Sequence, residues 1–209
     1  VRDLTQVEAD AGWYLLDYQR GEPRRYIEHV AAGVEAVAQD PQALLLFSGG
    51  TTRPEAGPVT EAWSYWQVAN HANWFGHEGV RERAFLEEFA RDSFENLLFG
   101  ICRFREVVGA LPEHVTMVGW RFKRERFEDL HREAIGWPRE RFSYVGVNDP
   151  QAIEQALRAE QYTRSRYIED PYSRSEEFRF KQQQRNPFRR QHGYAISCPE
   201  MFTPDKPWL

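Results

Sequence analysis

The 209-residue sequence holds only two cysteines, Cys102 and Cys198. That excludes a disulfide framework and a four-cysteine zinc site. Cys102 lies in an apolar helical run and reads as a buried thiol. No run approaches the roughly 18 unbroken apolar residues of a membrane span, so no integral membrane segment is expected. Neither charge sign dominates: 27 basic against 32 acidic side chains leave a net −5, which argues against dedicated nucleic-acid binding. The start at Val1 has neither a basic stretch nor an apolar stretch of the secretory type, so an intracellular, cytoplasmic location is expected. Also absent are a Gly-x-Ser-x-Gly elbow, a P-loop and a dinucleotide fingerprint, which removes the support for a serine hydrolase or a nicotinamide redox enzyme.

What the sequence has in quantity is aromatic side chains, 14% of residues including seven Trp. With 41% hydrophobic and 28% charged residues, the chain is globular and long enough for one well-buried domain. Pro23 opens a helix whose Ile27, Val30, Val34 and Val37 recur at helical steps, and Asp40-Pro41 stops it. Ala43 to Phe47 is a continuous apolar run of the kind buried on both faces of a parallel sheet. Thr60 caps a second helix, and Asp92 with Glu95 forms a capping-box pattern before a third. Ala84 to Phe89 fits strand or helix. Val115 to Gly119 and Phe142 to Val147 read as strands, with helices over 124–135 and after Asn148-Asp149-Pro150. Strand and helix alternate, which predicts an α/β fold: a three-layer sandwich with a mainly parallel sheet. The domain is expected over residues 1–160, with its first strand missing or truncated, and a basic C-terminal extension over 161–209 packs on it or wraps it.

Three stretches carry candidate chemistry. The turn Ser48-Gly49-Gly50-Thr51-Thr52 follows a strand and so falls at the carboxyl edge of the sheet, where open α/β folds bind ligands. Its amides and hydroxyls suit an oxyanion, although a Gly-Gly turn after a strand is also common as plain structure. Glu61 and Asp92, each at a helix start, serve either as caps or as a general base, a metal ligand or a ribose contact. Ser93 and Asn96 would face the same place. Lys123 and Arg126, three apart, would share a helix face and clamp a phosphate or carboxylate unless they are simply solvated. His131 on the same helix reads as a packed or surface histidine. His71 and His77 match no helical metal spacing and read as loop residues.

Between Arg158 and His192 nine Lys or Arg stand against five Asp or Glu, a local excess of basic charge in an acidic protein. Either this is a solvated strap, or Arg185 and Arg189 reach an anionic ligand.

Several motifs in this order resemble the YdcF/SanA-like family, the domain of unknown function 218, in its eukaryotic, fungal-type branch. They are Phe47 to Arg53, Thr60 to Tyr65, Glu87 to Asn96, Gly119 to Phe127, and Arg185-Asn186-Pro187-Phe188. The resemblance implies a Rossmann-like fold in which Ser48, Gly49, Gly50, Glu61, Asp92, Ser93 and Asn96 line one cleft. It also implies that Ala84 to Phe89 is a strand. Bacterial relatives are associated with cell-envelope processes, and S-adenosylmethionine binding has been proposed in the family. The family's opening strand with its small Cys-His type motif has no counterpart here, and Phe122 to Arg126 lacks the histidine that bacterial members carry there.

The expectation is therefore a small anionic or nucleotide-like ligand at the carboxyl edge. Gly49, Gly50 and Thr51 would cradle an oxyanion, and Lys123 and Arg126 would neutralise it. Glu61 and Asp92 would meet a ribose-like hydroxyl, a cation or an attacking water. S-adenosylmethionine and a divalent cation are the cofactor candidates, and hydrolysis or group transfer is the expected chemistry. The competing expectation is a non-catalytic scaffold gripping a protein partner through Arg185, Arg189 and Arg190.

Overall fold

A computed structural model describes residues 1–208; Leu209, the last residue of the expected extension, lies outside the described residues. Helix α1 (Pro23–Gln39) begins at a proline, whose missing amide hydrogen costs nothing in a first turn. It buries Tyr26, Val30, Gly33, Val34 and Val37. Strand β1 (Leu45–Ser48) pairs in parallel with β2 (Ala84–Glu87), Leu45 opposite Ala84 and Ser48 opposite Glu87. Between them runs α2 (Glu61–His71), capped by the Thr60 hydroxyl, which accepts from the Trp63 amide. Residues 73–76 then make a left-handed turn that drives Trp74 into the core edge-on to Trp66.

Helix α3 (Ser93–Val108) starts at the Asp92 cap and ends at Gly109, whose φ of 87° only glycine adopts readily. Strand β3 (Val115–Gly119) pairs in parallel with β4 (Phe142–Gly146). Between these two lies a π-helical turn, Arg126–His131, which runs into the short α4 (Arg132–Ala134). Three further helices close the fold: α5 (Ile153–Glu169), α6 (Glu176–Gln184) and α7 (Tyr194–Ser197).

The architecture is α/β, as expected, with short ladders that are both parallel. Among the described residues there are two two-stranded sheets, β1 with β2 and β3 with β4, and α1 packs against both. The run at Ala43 to Phe47 promised burial on both faces, yet only Phe47 is fully buried and Leu44, Leu45 and Leu46 are half-exposed. An apolar run reports faces, not which strands flank its edges. Ala84 to Phe89 is a strand only as far as Glu87.

Two apolar cores follow from the two ladders. One joins α1, α2, β1 and β2 through Val34, Phe47, Val68 and Trp74. The other surrounds α3 and draws Tyr167, Phe178, Tyr194, Cys198 and Met201 from the C-terminal segment. That segment is thus part of a core, and the expected boundary at 160/161 falls inside α5. No helix among the described residues is long and apolar enough to cross a membrane.

Candidate functional site

The carboxyl ends of β1 and β2 are tied together by the glycine turn. The Gly49 amide donates to the Glu87 carbonyl at 3.0 Å and the Gly50 amide to the Ala90 carbonyl at 2.8 Å. Their own carbonyls accept the first amides of α2, from Ala62 and Glu61. Space explains the glycines. A Cβ on Gly50 would stand 2.9 Å from the Ala90 carbonyl oxygen, and one on Gly49 would stand 2.7 Å from Glu61 Cβ. The expected oxyanion cradle is therefore corrected: the Gly49 and Gly50 amides are already consumed, and only the Thr51 amide lacks a backbone acceptor among the described residues. Thr51 itself is buried, and the Thr52 hydroxyl donates to Glu61 Oε1.

Behind the turn, Ser48 Oγ lies 2.7 Å from Glu87 Oε2 and 3.0 Å from Asn96 Oδ1. Glu87 is wholly buried and was not singled out in the sequence. Burial raises its carboxyl above the usual range, although the Ser48 hydroxyl, the Phe89 and Ala90 amides and the Tyr194 hydroxyl all donate to it.

Asp92 has no free oxygen. Oδ1 accepts the Glu95 amide at 2.9 Å, as a cap should, and Oδ2 accepts Gln182 Nε2 from α6 at 2.8 Å. Glu95 does not complete a capping box. Its carboxylate turns to the Arg91 amide and guanidinium instead. Of the two carboxylates expected to be catalytic, Glu61 alone retains an oxygen without a hydrogen bond among the described residues.

Ser93 is the meeting point. Its Oγ lies 2.8 Å from Arg126 Nη1 and 2.9 Å from His131 Nε2. The Arg126 guanidinium also donates twice to the Glu160 carboxylate of α5, at 2.9 and 2.8 Å, and that pair is almost wholly buried. The expected Lys123–Arg126 clamp thus divides, because the charge of Arg126 is matched by Glu160. The assumed helix face fails for a physical reason: Lys123 ends a 3-10 turn, whereas Arg126 opens the π-helical one. His131 is wholly buried among the rings of Phe94, Phe127 and Tyr167. Burial, followed by the charges of Arg126 and Lys181, holds it far below the ordinary histidine range, so it is neutral.

The Lys123 ammonium has no hydrogen-bonding or ion-pair partner among the described residues and sits 5.6 Å from the Phe122 ring centre. Burial and the Arg126 charge push it down to about 8, with Arg185 acting the same way and Glu160 and Glu61 opposing. Lys181 on α6 is equally unpaired. Burial and then Arg185 lower it, Arg126 adds to this, and Asp92 opposes. Only three of the 27 basic residues are lysine, at 123, 181 and 206, and two of them stand here.

From the C-terminal segment, Arg185 donates to the Arg91 carbonyl at 3.0 Å, and Arg190 lies over the Phe89 ring at 4.8 Å. Arg189 is exposed. Residues of this edge line two shallow hollows, one beside Thr52, Arg53 and Glu61 and the other beside Arg91, Glu95 and Gln182. Among the described residues no three His, Cys, Asp or Glu side chains are grouped to hold a metal ion. Sequence reasoning missed Glu160, Lys181 and Gln182 because each is one polar residue in a polar helix. The one signal available was the local excess of basic charge in that segment.

Comparison with known proteins adds one relative. The chain is 27% identical over 238 aligned positions to the uncharacterized protein YOR238W of Saccharomyces cerevisiae, an alignment covering 90% of this chain and 78% of the yeast protein. No family model matches the sequence. No solved structure matches it either.

Proposed function

We propose that the chain binds a small anionic or nucleotide-like ligand at the carboxyl edge of its strands, and that any reaction there is hydrolysis or group transfer. One observation carries this reading: segments that follow three different strands meet at one place. The Gly50 amide reaches Ala90, two residues before Asp92, and the Arg126 guanidinium reaches Ser93, one residue after it. The same meeting supports a Rossmann-like relation between the two ladders, since the carboxyl ends of β1, β2 and β3 all feed it, and α1 lies against both ladders. It also suits the YdcF/SanA-like assignment, which groups these residues in one cleft. Glu61, with one carboxylate oxygen uncommitted, is the group for a ribose hydroxyl.

A partner-gripping role for the basic C-terminal segment has less support, because Arg185 and Arg190 are engaged with the chain itself. The test is native mass spectrometry of freshly purified protein, joined to thermal-shift screening with S-adenosylmethionine, phosphate esters and magnesium. A ligand present at a hundred times its Kd stabilises by about 2.7 kcal/mol. A mass that equals the bare chain and a melting temperature unmoved by every compound would end the proposal.

A further inference from the structure

The hollow beside Arg91, Glu95 and Gln182 has a volume of about 170 Å3, and six of its lining side chains are rings. Phe94 meets Trp208 edge-on at 6.2 Å, while His192 is flanked by Phe99 at 4.4 Å and by Phe202 at 5.6 Å. Phe94 and Phe99 are buried in the core around α3, so this wall is formed before any guest arrives. An apolar cavity of roughly 150 Å3 is enough to hold benzene, so the space suits a single ring.

Three guanidinium groups and one carboxylate border the same space: Arg91, Arg174, Arg179 and Glu95. Glu95 is buried and holds Arg91 through Nε and Nη2. That grip fixes the plane of the guanidinium and leaves its Nη1 without a partner among the described residues. Arg174 donates to a neutral acceptor, the Pro207 carbonyl, at 2.7 Å. The Arg179 side chain is exposed and has neither a hydrogen bond nor an ion pair among the described residues. Two positive charges thus stand unmatched at the mouth of a ring-lined space. We infer that this hollow seats a small aromatic carboxylate, its ring against Phe94, Phe99 and Phe202 and its two oxygens on Arg91 and Arg179. The planar fork of arginine matches a carboxylate, and the unmatched charge of Arg174 adds to the attraction. Glu95 lies in the same lining and repels a second negative charge, which favours a carboxylate over a phosphate dianion. This seat uses neither the glycine turn nor Glu61, so it goes beyond the ligand reading above and does not rest on it.

The test is isothermal titration of the whole chain at low ionic strength with benzoate, benzamide, acetate and phenyl phosphate. Benzoate should bind. Benzamide has the same shape without the charge and should bind at least about tenfold more weakly, the loss expected from hydrogen bonds to a charged group. Acetate keeps the charge without the ring and should also be at least about tenfold weaker, because no apolar surface is buried. Phenyl phosphate should bind more weakly than benzoate. Arg179→Met should lower the affinity for benzoate by about tenfold and leave that for benzamide unchanged, a split that a merely structural role does not produce. Arg158→Ala, on an exposed part of α5 outside the lining, should alter neither. Circular dichroism and melting of each variant separate lost binding from lost fold, and the four compounds compared on the unaltered chain need no variant at all. Equal affinity for benzoate and benzamide, or for benzoate and acetate, overturns the inference. So does full benzoate affinity in folded Arg179→Met, tighter binding of phenyl phosphate, or silence from all four compounds.

Discussion

Arg126 and His131 stand at the two ends of one π-helical turn, and both reach the same atom, Ser93 Oγ, at 2.8 and 2.9 Å. On an α-helix residues five apart are rotated by about 140°, so the two side chains would diverge. The wider turn brings them to one side. Turns of this kind are rare and recur at functional sites. Here its effect is local: a guanidinium and an imidazole are fixed on a serine that opens another helix.

The buried Arg126–Glu160 pair makes the first prediction. Glu160→Gln leaves a guanidinium unmatched away from water and should cost about 3–5 kcal/mol in denaturant unfolding. Replacing both partners by methionine should cost clearly less, because neither charge is then stranded. Equal losses in the single and double variants would show that the pair is not the origin of the effect.

Close packing of the glycine turn gives the second. Gly50→Ala presses a methyl onto the Ala90 carbonyl, which is backbone and cannot swing aside, and should destabilise by about 1–3 kcal/mol. Gly79→Ala meets open space at an exposed position with no left-handed φ and should change stability by less than about 0.5 kcal/mol. Thermal melting of the two variants should rank them in that order; a reversed ranking would show that the turn has room.

Lys123 sets a dependence on pH. Its ammonium titrates near 8 in the folded chain against an ordinary value of 10.5. Between those values the unfolded chain holds the proton and the folded chain does not, so stability rises with pH across that window. Lys123→Met removes this contribution. The variant should be more stable than the parent at pH 7, and the gap should close towards pH 10. Urea midpoints measured across the window check this, and parallel curves would refute it.

Tyr194 gives a test of the C-terminal segment. Its ring is buried and its hydroxyl lies 3.3 Å from Glu87 Oε1. Tyr194→Phe removes one of several donors to a buried carboxyl and should cost about 1 kcal/mol. Tyr194→Ala opens a cavity between α3 and α7 and should cost about 3–5 kcal/mol. Similar small losses in both would mean that the segment contributes little to the core.

Much of the fold is legible in the residue order. The Pro23 start, the Thr60 and Asp92 caps and the Gly109 stop are local signals, and each helix begins or ends where its signal stands. The gathering of Ser48, Glu61, Asp92, Ser93 and Asn96 at one edge was legible from strands followed by turns. The pairing of charges was not. Arg126 and Glu160 are 34 residues apart, and nothing in a polar helix marks one glutamate as the partner of one arginine. Nor does helical spacing announce a π turn, so the Lys123–Arg126 face was drawn on the wrong helix type. The Gly-Gly turn misled for a related reason: a steric need and a ligand-binding need leave the same letters.

Helix α6 supplies Lys181, and its Gln182 donates to Asp92 Oδ2. A ribosome that has threaded residues 1–170 has thus made every strand, yet it has made neither that lysine nor that glutamine. Affinity for the anion would appear late in translation, only after α6 clears the exit tunnel. Ligand capture by stalled nascent chains of increasing length would act as a clock for completed folding.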